Sequence, residues 1–386
     1  MLVCQHLNIN KELCSYLSYF REKKPTELVV SLKILVLPGD GIGPEIIATA
    51  KQALEVLDAK LGLGLEIDTK PIGFDALKES GATWSSDIED ACRKADGVIM
   101  GPTDTAAYPS PEEGGIGPSA AARKNLDLFA NIRPSRSAIG MPALKTGVDL
   151  VIVRENTEGF YADRSLFFGG GEFMPTSELA MSVRKITKSA SERIAHIAFQ
   201  MAALRRKKVT VVHKANVLKM TCGMFLEAAE HIGKQYPDIE IDDVHVDAMA
   251  SDLVRKPESF DVVLCSNMYG DILSNLAAEV TGGLGLAGSL NRGDSISLAQ
   301  AAHGSAPGIA GQGIANPTSI LRSTAMMLRD LAERRSENTL FAAAANLDEA
   351  LDVMLTDEKT RTPDLGGSLS TSEFGKVLSI RLDTQQ

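Results

Sequence analysis

The stretch LKILVLPGDGIGPE, residues 32–45, decides the fold. Its first six residues are an apolar run closed by Pro38-Gly39, the pattern of a strand buried on both faces. Pro44 then opens a helical periodicity running to about Leu61, and proline suits a first helical turn. Gly39, Gly41 and Gly43 imitate a dinucleotide-binding fingerprint. The third glycine of that fingerprint would fall at 44, which is proline, and no fitting acidic residue ends a following strand. The stretch therefore predicts a strand–turn–helix unit of an α/β protein that is not a Rossmann fold.

Outward from this unit the same alternation continues. Strands are predicted at 65–69, 97–100, 126–132, 149–153, 208–213, 239–246 and 261–265. Helices are predicted at 85–95, 177–206, 220–235, 269–281, 319–335 and 340–355. Alternating strands and helices imply sheets covered by helices. Glycine-rich stretches at 113–117, 169–171 and 282–288 read as loops. Residues 1–31 have mixed charge and lack the layout of a secretory signal. They read as an extension, either a short appended helix or an overlong start, and the folded unit is expected to begin near Leu32.

A chain of 386 residues exceeds what one core usually organises, so two domains are expected. The net charge of −10 argues against nucleic acid as a partner, because phosphate binding needs clustered positive charge. No apolar run approaches the roughly 20 residues that span a bilayer, so no membrane partner is expected. Cysteines at 4, 14, 92, 222 and 265 form no CxxC pair or dense framework, which points to a reducing, cytoplasmic setting.

Three groups of side chains carry chemistry. Arg123 and Arg133 bracket RKNLDLFANIR, and Arg154 ends the strand DLVIVR. A guanidinium is a planar fork that pairs with carboxylates, so three of them suit a dicarboxylate, although solvated surface arginines give the same spacing. Asp247 follows the run IDDVHV, and Asp271 lies one helical turn before Asn275 in YGDILSN. These oxygens suit Mg²⁺ or Mn²⁺, or else are ordinary acids at helix starts. Tyr161 follows RENTEGF, and Lys214 ends KKVTVVHK. A lysine beside a metal and other cations can serve in proton transfer; at a strand end it is equally a solvated charge.

Taken in order, the strings GDGIGPE (39–45), LDLFANIRP (126–134), DLVIVRENTEGFYA (149–162), VHKANVLKMTCGMF (212–225), VDAM (246–249), NMYGDILSN (267–275), GGLGLAGS (282–289), HGSAPGIAGQGIANP (303–317) and TPDLGG (362–367) closely resemble the isocitrate/3-isopropylmalate dehydrogenase family of β-decarboxylating dehydrogenases. The resemblance covers the chain from about residue 32 to its end. It implies a two-domain α/β fold of that family's kind. The cofactor-binding domain would comprise 32–130 with 282–386, and the substrate, metal and dimerisation domain 131–281. It implies a homodimer with shared active sites, in which Lys214 and Asp247 are contributed to the neighbouring site.

The resemblance also implies roles. Arg123, Arg133 and Arg154 match the clamp on the malate carboxylates, and Asp247 and Asp271 match metal ligands. Lys214 matches the residue that assists deprotonation of the 2-hydroxyl, and Tyr161 the acid that protonates the enol after carbon dioxide leaves. Ile42, His303, Gly304, Ser305, Ala306, Pro307, Ile309 and Asn316 fall in the cofactor-binding segments. The implied reaction is oxidative decarboxylation of a malate-type 2-hydroxy acid with NAD(P) and Mg²⁺ or Mn²⁺.

The chain departs from the family pattern at three places. Asn275 stands where an aspartate is usual, so metal affinity is expected to drop, even to loss of the metal. Gly308 stands where NAD-using members carry an aspartate for the adenosine ribose. NAD is favoured over NADP only because the loop holds no cation. Ser119 and Ala120 stand where isopropylmalate enzymes place leucines, which gives Ser119 a substrate-side place and a small polar wall. The expected substrate is thus a small dicarboxylate or tricarboxylate: isocitrate, tartrate or D-malate, or an isopropylmalate-like acid. The alternative is a catalytically weakened, ligand-binding regulatory subunit of the same family.

Overall fold

In the computed structural model the described residues are 31–384, apart from 139, 142, 162–165 and 167–168. The expectation for residues 1–31 thus falls, but for Ser31, outside the described residues.

The first half of the chain carries β1 (Leu32–Leu37), α1 (Gly43–Leu61), β2 (Leu65–Thr69), α2 (Phe74–Ser80), α3 (Ser86–Lys94), β3 (Gly97–Met100), α4 (Pro118–Asn125), β4 (Ala130–Arg136), β5 (Asp149–Glu155), β6 (Glu172–Thr176) and β7 (Leu179–Ser182). The second half adds α5 (Lys188–Ala203), β8 (Lys208–His213), α6 (Thr221–Gly233), β9 (Glu240–His245), α7 (Val246–Arg255), β10 (Val262–Cys265), α8 (Asn267–Thr281), β11 (Leu290–Arg292), β12 (Ser297–Gln300), α9 (Thr318–Arg335), α10 (Asn338–Thr356) and α11 (Thr371–Thr384).

Ten strands form one mixed sheet in the order β2-β1-β3-β12-β11-β4-β5-β10-β8-β9. The ends of the sheet are parallel. The centre, where β12, β11, β4 and β5 meet, is antiparallel. Late strands β11 and β12 return to lie beside early strands β3 and β4, so the chain leaves one end of the sheet, builds the other, and comes back. The order differs from that of a Rossmann sheet, as the opening stretch predicts.

Burial explains the choice of elements. β1 and β3 are almost wholly buried, which is why they read as continuous apolar runs. One apolar layer runs along the sheet under α1, α5, α9, α10 and α11, and two smaller clusters cover the opposite face at the two ends. Among the described residues, no helix is long and apolar enough to cross a membrane.

Two expected elements differ. The strand predicted at 126–132 begins at Ala130, because Leu126 caps α4 and Asp127 turns the chain with φ +47°. The helix predicted at 177–206 begins only at Lys188, and its first residues belong to the hairpin β6–β7. That segment is rich in helix-compatible residues, yet its side chains are exposed on a two-stranded ribbon, so apolar periodicity gives no guide. Thr187 sets the true helix start by accepting from the Ala190 N–H at 3.3 Å.

Candidate active site

The centre of the sheet builds the site. On the antiparallel pair β4–β5, Arg133 lies opposite Ile152, and Arg154 is two residues beyond Ile152. Side chains alternate along a strand, so both arginines point from the same face. Helix α8 covers that face. Its approach requires Gly270, where a Cβ would lie 2.7 Å from both Cβ and Cγ of Arg154. Asp271, the next residue, is thereby carried onto both guanidiniums.

Arg154 is 2% exposed and has an ordered partner on each edge. Its Nη1 donates to Asp271 Oδ1 in a short contact. Its Nε and Nη2 donate to Asn267 Oδ1 at 3.0 and 2.7 Å. Arg133 donates through Nη1 to Ser274 Oγ at 2.9 Å and to Asn275 Oδ1 at 3.1 Å, with Asp271 Oδ1 at 3.5 Å. Burial pushes the Arg133 guanidinium below the usual arginine range, and Asp271 opposes that shift. Arg133, Arg154, Asp271 and Asn275 therefore form one group. Asn267, Gly270 and Ser274, which hold it together, were not singled out in the sequence. Their signal was the helical spacing of NMYGDILSN, which places several of them on one face.

The neighbouring RENTEG segment, by contrast, is largely framework. The buried Glu155 accepts from Thr157 N and Oγ1 at 2.8 and 2.6 Å and from Glu158 N at 2.8 Å. Asn156 donates to Leu128 O and Asn291 Oδ1, and Glu158 accepts from Thr187 N and Oγ1. Tyr161 follows this turn and is half-buried. Arg123 and Ser119 lie one turn apart on α4, both half-buried.

Lys214 and Asp247 form a second group. Lys214 Nζ donates to Asp247 Oδ1 at 2.5 Å, and this hydrogen bond holds the Asp247 carboxyl below the usual carboxylate range. The aspartate side chain is 68% exposed. Among the described residues of one chain, no three His, Cys, Asp or Glu side chains gather as a metal site.

The third group joins the two glycine-rich segments. Ile42 N–H donates to the Ser305 carbonyl at 2.9 Å. At Gly41 (φ +59°) a Cβ would stand 2.1 Å from that same oxygen. Gly41 of GDGIGPE thus serves loop-to-loop packing. Ala306 adopts φ +41°, and Gly304, Ala306, Pro307 and Gly308 are exposed, with Ile309 half-buried. His303 Nδ1 faces Gly304 O at 3.0 Å, which requires an Nδ1–H tautomer, and burial lowers its pKa below the ordinary histidine value. Asn316 donates to Asp364 Oδ2 at 3.0 Å and accepts from Thr318 N at 2.9 Å.

Comparison with known proteins gives a consistent result. Residues 33–378 match the family model described as isocitrate/isopropylmalate dehydrogenase. A 3-isopropylmalate dehydrogenase of Archaeoglobus fulgidus is 40% identical over 353 residues, 91% of this chain and 99% of that protein. An isocitrate/homoisocitrate dehydrogenase of Thermus thermophilus is 39% identical over 90% of this chain and 98% of its own length. The crystal structure of isocitrate dehydrogenase from Methylococcus capsulatus superposes with a TM-score of 0.81 at 38% identity, covering 92% of this chain and all 100% of that one. The chain belongs to the isocitrate/isopropylmalate dehydrogenase family and is a dehydrogenase of its β-decarboxylating kind.

Proposed function

We propose that the protein oxidises and decarboxylates a malate-type 2-hydroxy acid with NAD(P) and Mg²⁺ or Mn²⁺, as a homodimer whose sites draw on both copies. The observation that carries this reading is the convergence of Arg133 and Arg154 on Asp271 beneath α8. Two guanidiniums held on one face of the sheet, with Arg123 on α4, suit the carboxylates of a small polyanion. The donor chemistry fits a hard divalent cation, since Asp271, Asn275 and Asp247 offer only oxygen. Asp271 and Asn275 lie together. The exposed Asp247 would supply the third oxygen from a second copy. When bound, the metal polarises the substrate oxygens and the nicotinamide accepts hydride.

The chain's own residues do the rest. The arginines bind and orient the carboxylates. Lys214, also from the second copy, takes the 2-hydroxyl proton. Tyr161 returns a proton to carbon after carbon dioxide leaves. The segment His303–Ile309 with Ile42 and Asn316 holds the adenosine side of the cofactor. The domain division at residues 130 and 282 falls beside the β4–β11 junction, where early and late strands meet.

One observation favours the second reading, a ligand-binding regulatory subunit: Asn275 brings no charge, and its oxygen accepts from Arg133. A screen at 340 nm separates the two. Purified protein receives Mg²⁺ or Mn²⁺, NAD⁺ or NADP⁺, and D-malate, tartrate, isopropylmalate, isocitrate or homoisocitrate. Metal-dependent reduction with one acid is expected. Ligand binding without reduction across the panel would instead support the regulatory reading.

A further inference from the structure

Arg184 lies just past β7 and is half-buried, and its partners are all neutral. Nη1 donates to Thr221 Oγ1 at 3.3 Å and to Cys222 Sγ at 3.0 Å, both at the start of α6. Nη2 donates to Ser266 Oγ at 3.2 Å, immediately before α8. The guanidinium carbon stands 5.0 Å from the centre of the Tyr269 ring and 5.7 Å from that of Phe160. Among the described residues no carboxylate pairs with it. A cation at the N-terminal ends of two helices is opposed by their dipoles, so it is not there to cap them. The two rings supply the electrostatic attraction that a counter-charge would otherwise give.

Phe160 closes the RENTEGF turn and directly precedes Tyr161. That turn is tied to the Arg184 segment along its length. Glu158 accepts from Thr187 N and Oγ1. Gly159 and Lys185 exchange both backbone hydrogen bonds, at 2.8 and 3.0 Å. Gly159 adopts φ +84°, and a Cβ there would stand 3.2 Å from Cβ of Asn267, the residue that accepts from Arg154. The backbone is thus fixed up to Gly159, and the guanidinium extends that order to Phe160. We infer that Arg184 is a positioning residue: it holds Phe160 to the start of α8 and so aims the Tyr161 phenol for the return of a proton to carbon. In that step the phenol O–H bond breaks, a C–H bond forms, and the enolate oxygen becomes that of a ketone. This deepens the dehydrogenase reading above and rests on the role it gives Tyr161. A guanidinium suits the task, because its flat face lies over rings while its edges donate to fixed atoms.

The test uses the full-length protein labelled with 3-fluorotyrosine, the variants Arg184→Leu, Arg184→Lys and Phe160→Leu, and Tyr161→Phe as reference. The fluorine signal missing from Tyr161→Phe is that of Tyr161. Arg184→Leu and Phe160→Leu should each shift or broaden it, and Arg184→Lys should do so less. An unmoved signal overturns the proposal; should Arg184→Leu not fold, Phe160→Leu decides. Kinetics then separate aiming from mere support. With an acid that the wild type decarboxylates, Arg184→Leu should lower kcat about 10- to 100-fold with KM little changed, because a misplaced acid slows a step and not binding. The solvent deuterium effect on kcat should rise, as proton return becomes the slow step, and Arg184→Lys should recover much of the rate. A raised KM with unaltered kcat, or a fall in kcat without a larger deuterium effect, marks a structural role and overturns the proposal. If Tyr161→Phe keeps the wild-type kcat, it is the role of Tyr161 that fails. If the wild type decarboxylates none of the acids, the dehydrogenase reading fails and takes the proposal with it.

Discussion

Two charged groups of this molecule have opposite characters. Arg133, Arg154 and Asp271 lie between a sheet and a helix, with both guanidiniums buried and Asp271 partly exposed. Lys214 and Asp247 hold each other at the surface, where the aspartate meets solvent over most of its side chain. The first group is finished within one chain. The second is a simple ion pair, Lys214 Nζ to Asp247 Oδ1. On the proposed reading, a binding clamp and a proton-transfer pair thus rest on different physics. The arginine group is held by desolvation and packing, whereas in the second group the half-buried Lys214 holds an aspartate that stays exposed.

That contrast can be broken from either side. Lys214→Met should have the largest effect, lowering turnover by about 100-fold or more while the melting temperature stays near the wild-type value. Retained turnover would remove Lys214 from the reaction. Arg154→Leu should do the reverse and act first on the fold. It leaves Asn267 without its donor and Asp271 with the longer Arg133 contact, and should cost about 2–4 kcal/mol in urea unfolding, less than a fully buried pair because Asp271 still meets solvent. Little loss of stability would show that the group is not the rigid element described.

Asn275→Asp should tighten Mn²⁺ binding by roughly tenfold, read by calorimetry, because it adds a charge beside Asp271. Unchanged affinity would place position 275 away from the metal. The smallest effect concerns pH. The folded-state pKa of His303 lies below its ordinary value of 6.5 because burial disfavours the charged ring. Its contribution to stability is therefore full above the unfolded pKa and is lost as pH falls through the folded one. Melting temperatures measured from pH 7.5 down to 5 should fall less steeply in His303→Gln than in the wild type.

The two regions were also unequally legible in sequence. Buried strands such as β1 and β3 could be read directly, because complete burial leaves an unbroken apolar run. Asp271 and Asn275 were found from helical spacing, and the arginines from expected places at strand ends or loop edges, although Arg133 lies within β4 and Arg123 on α4. The spacing did not reveal that Gly270 lets α8 approach Arg154, since a close approach is a property of two elements at once. The hairpin β6–β7 was misread because its side chains are exposed, and exposed segments carry no burial pattern.

The central claim is that the buried clamp of one copy and the exposed pair of another make one site. Mixing Lys214→Met with Asp271→Ala tests it directly. Each variant alone should be inactive. After subunits are exchanged, every mixed dimer should hold one intact site, so metal-dependent NAD(P)⁺ reduction should return to about a quarter of the wild-type rate. No recovery, with mixed dimers demonstrably formed, would contradict the account and confine each site to a single chain.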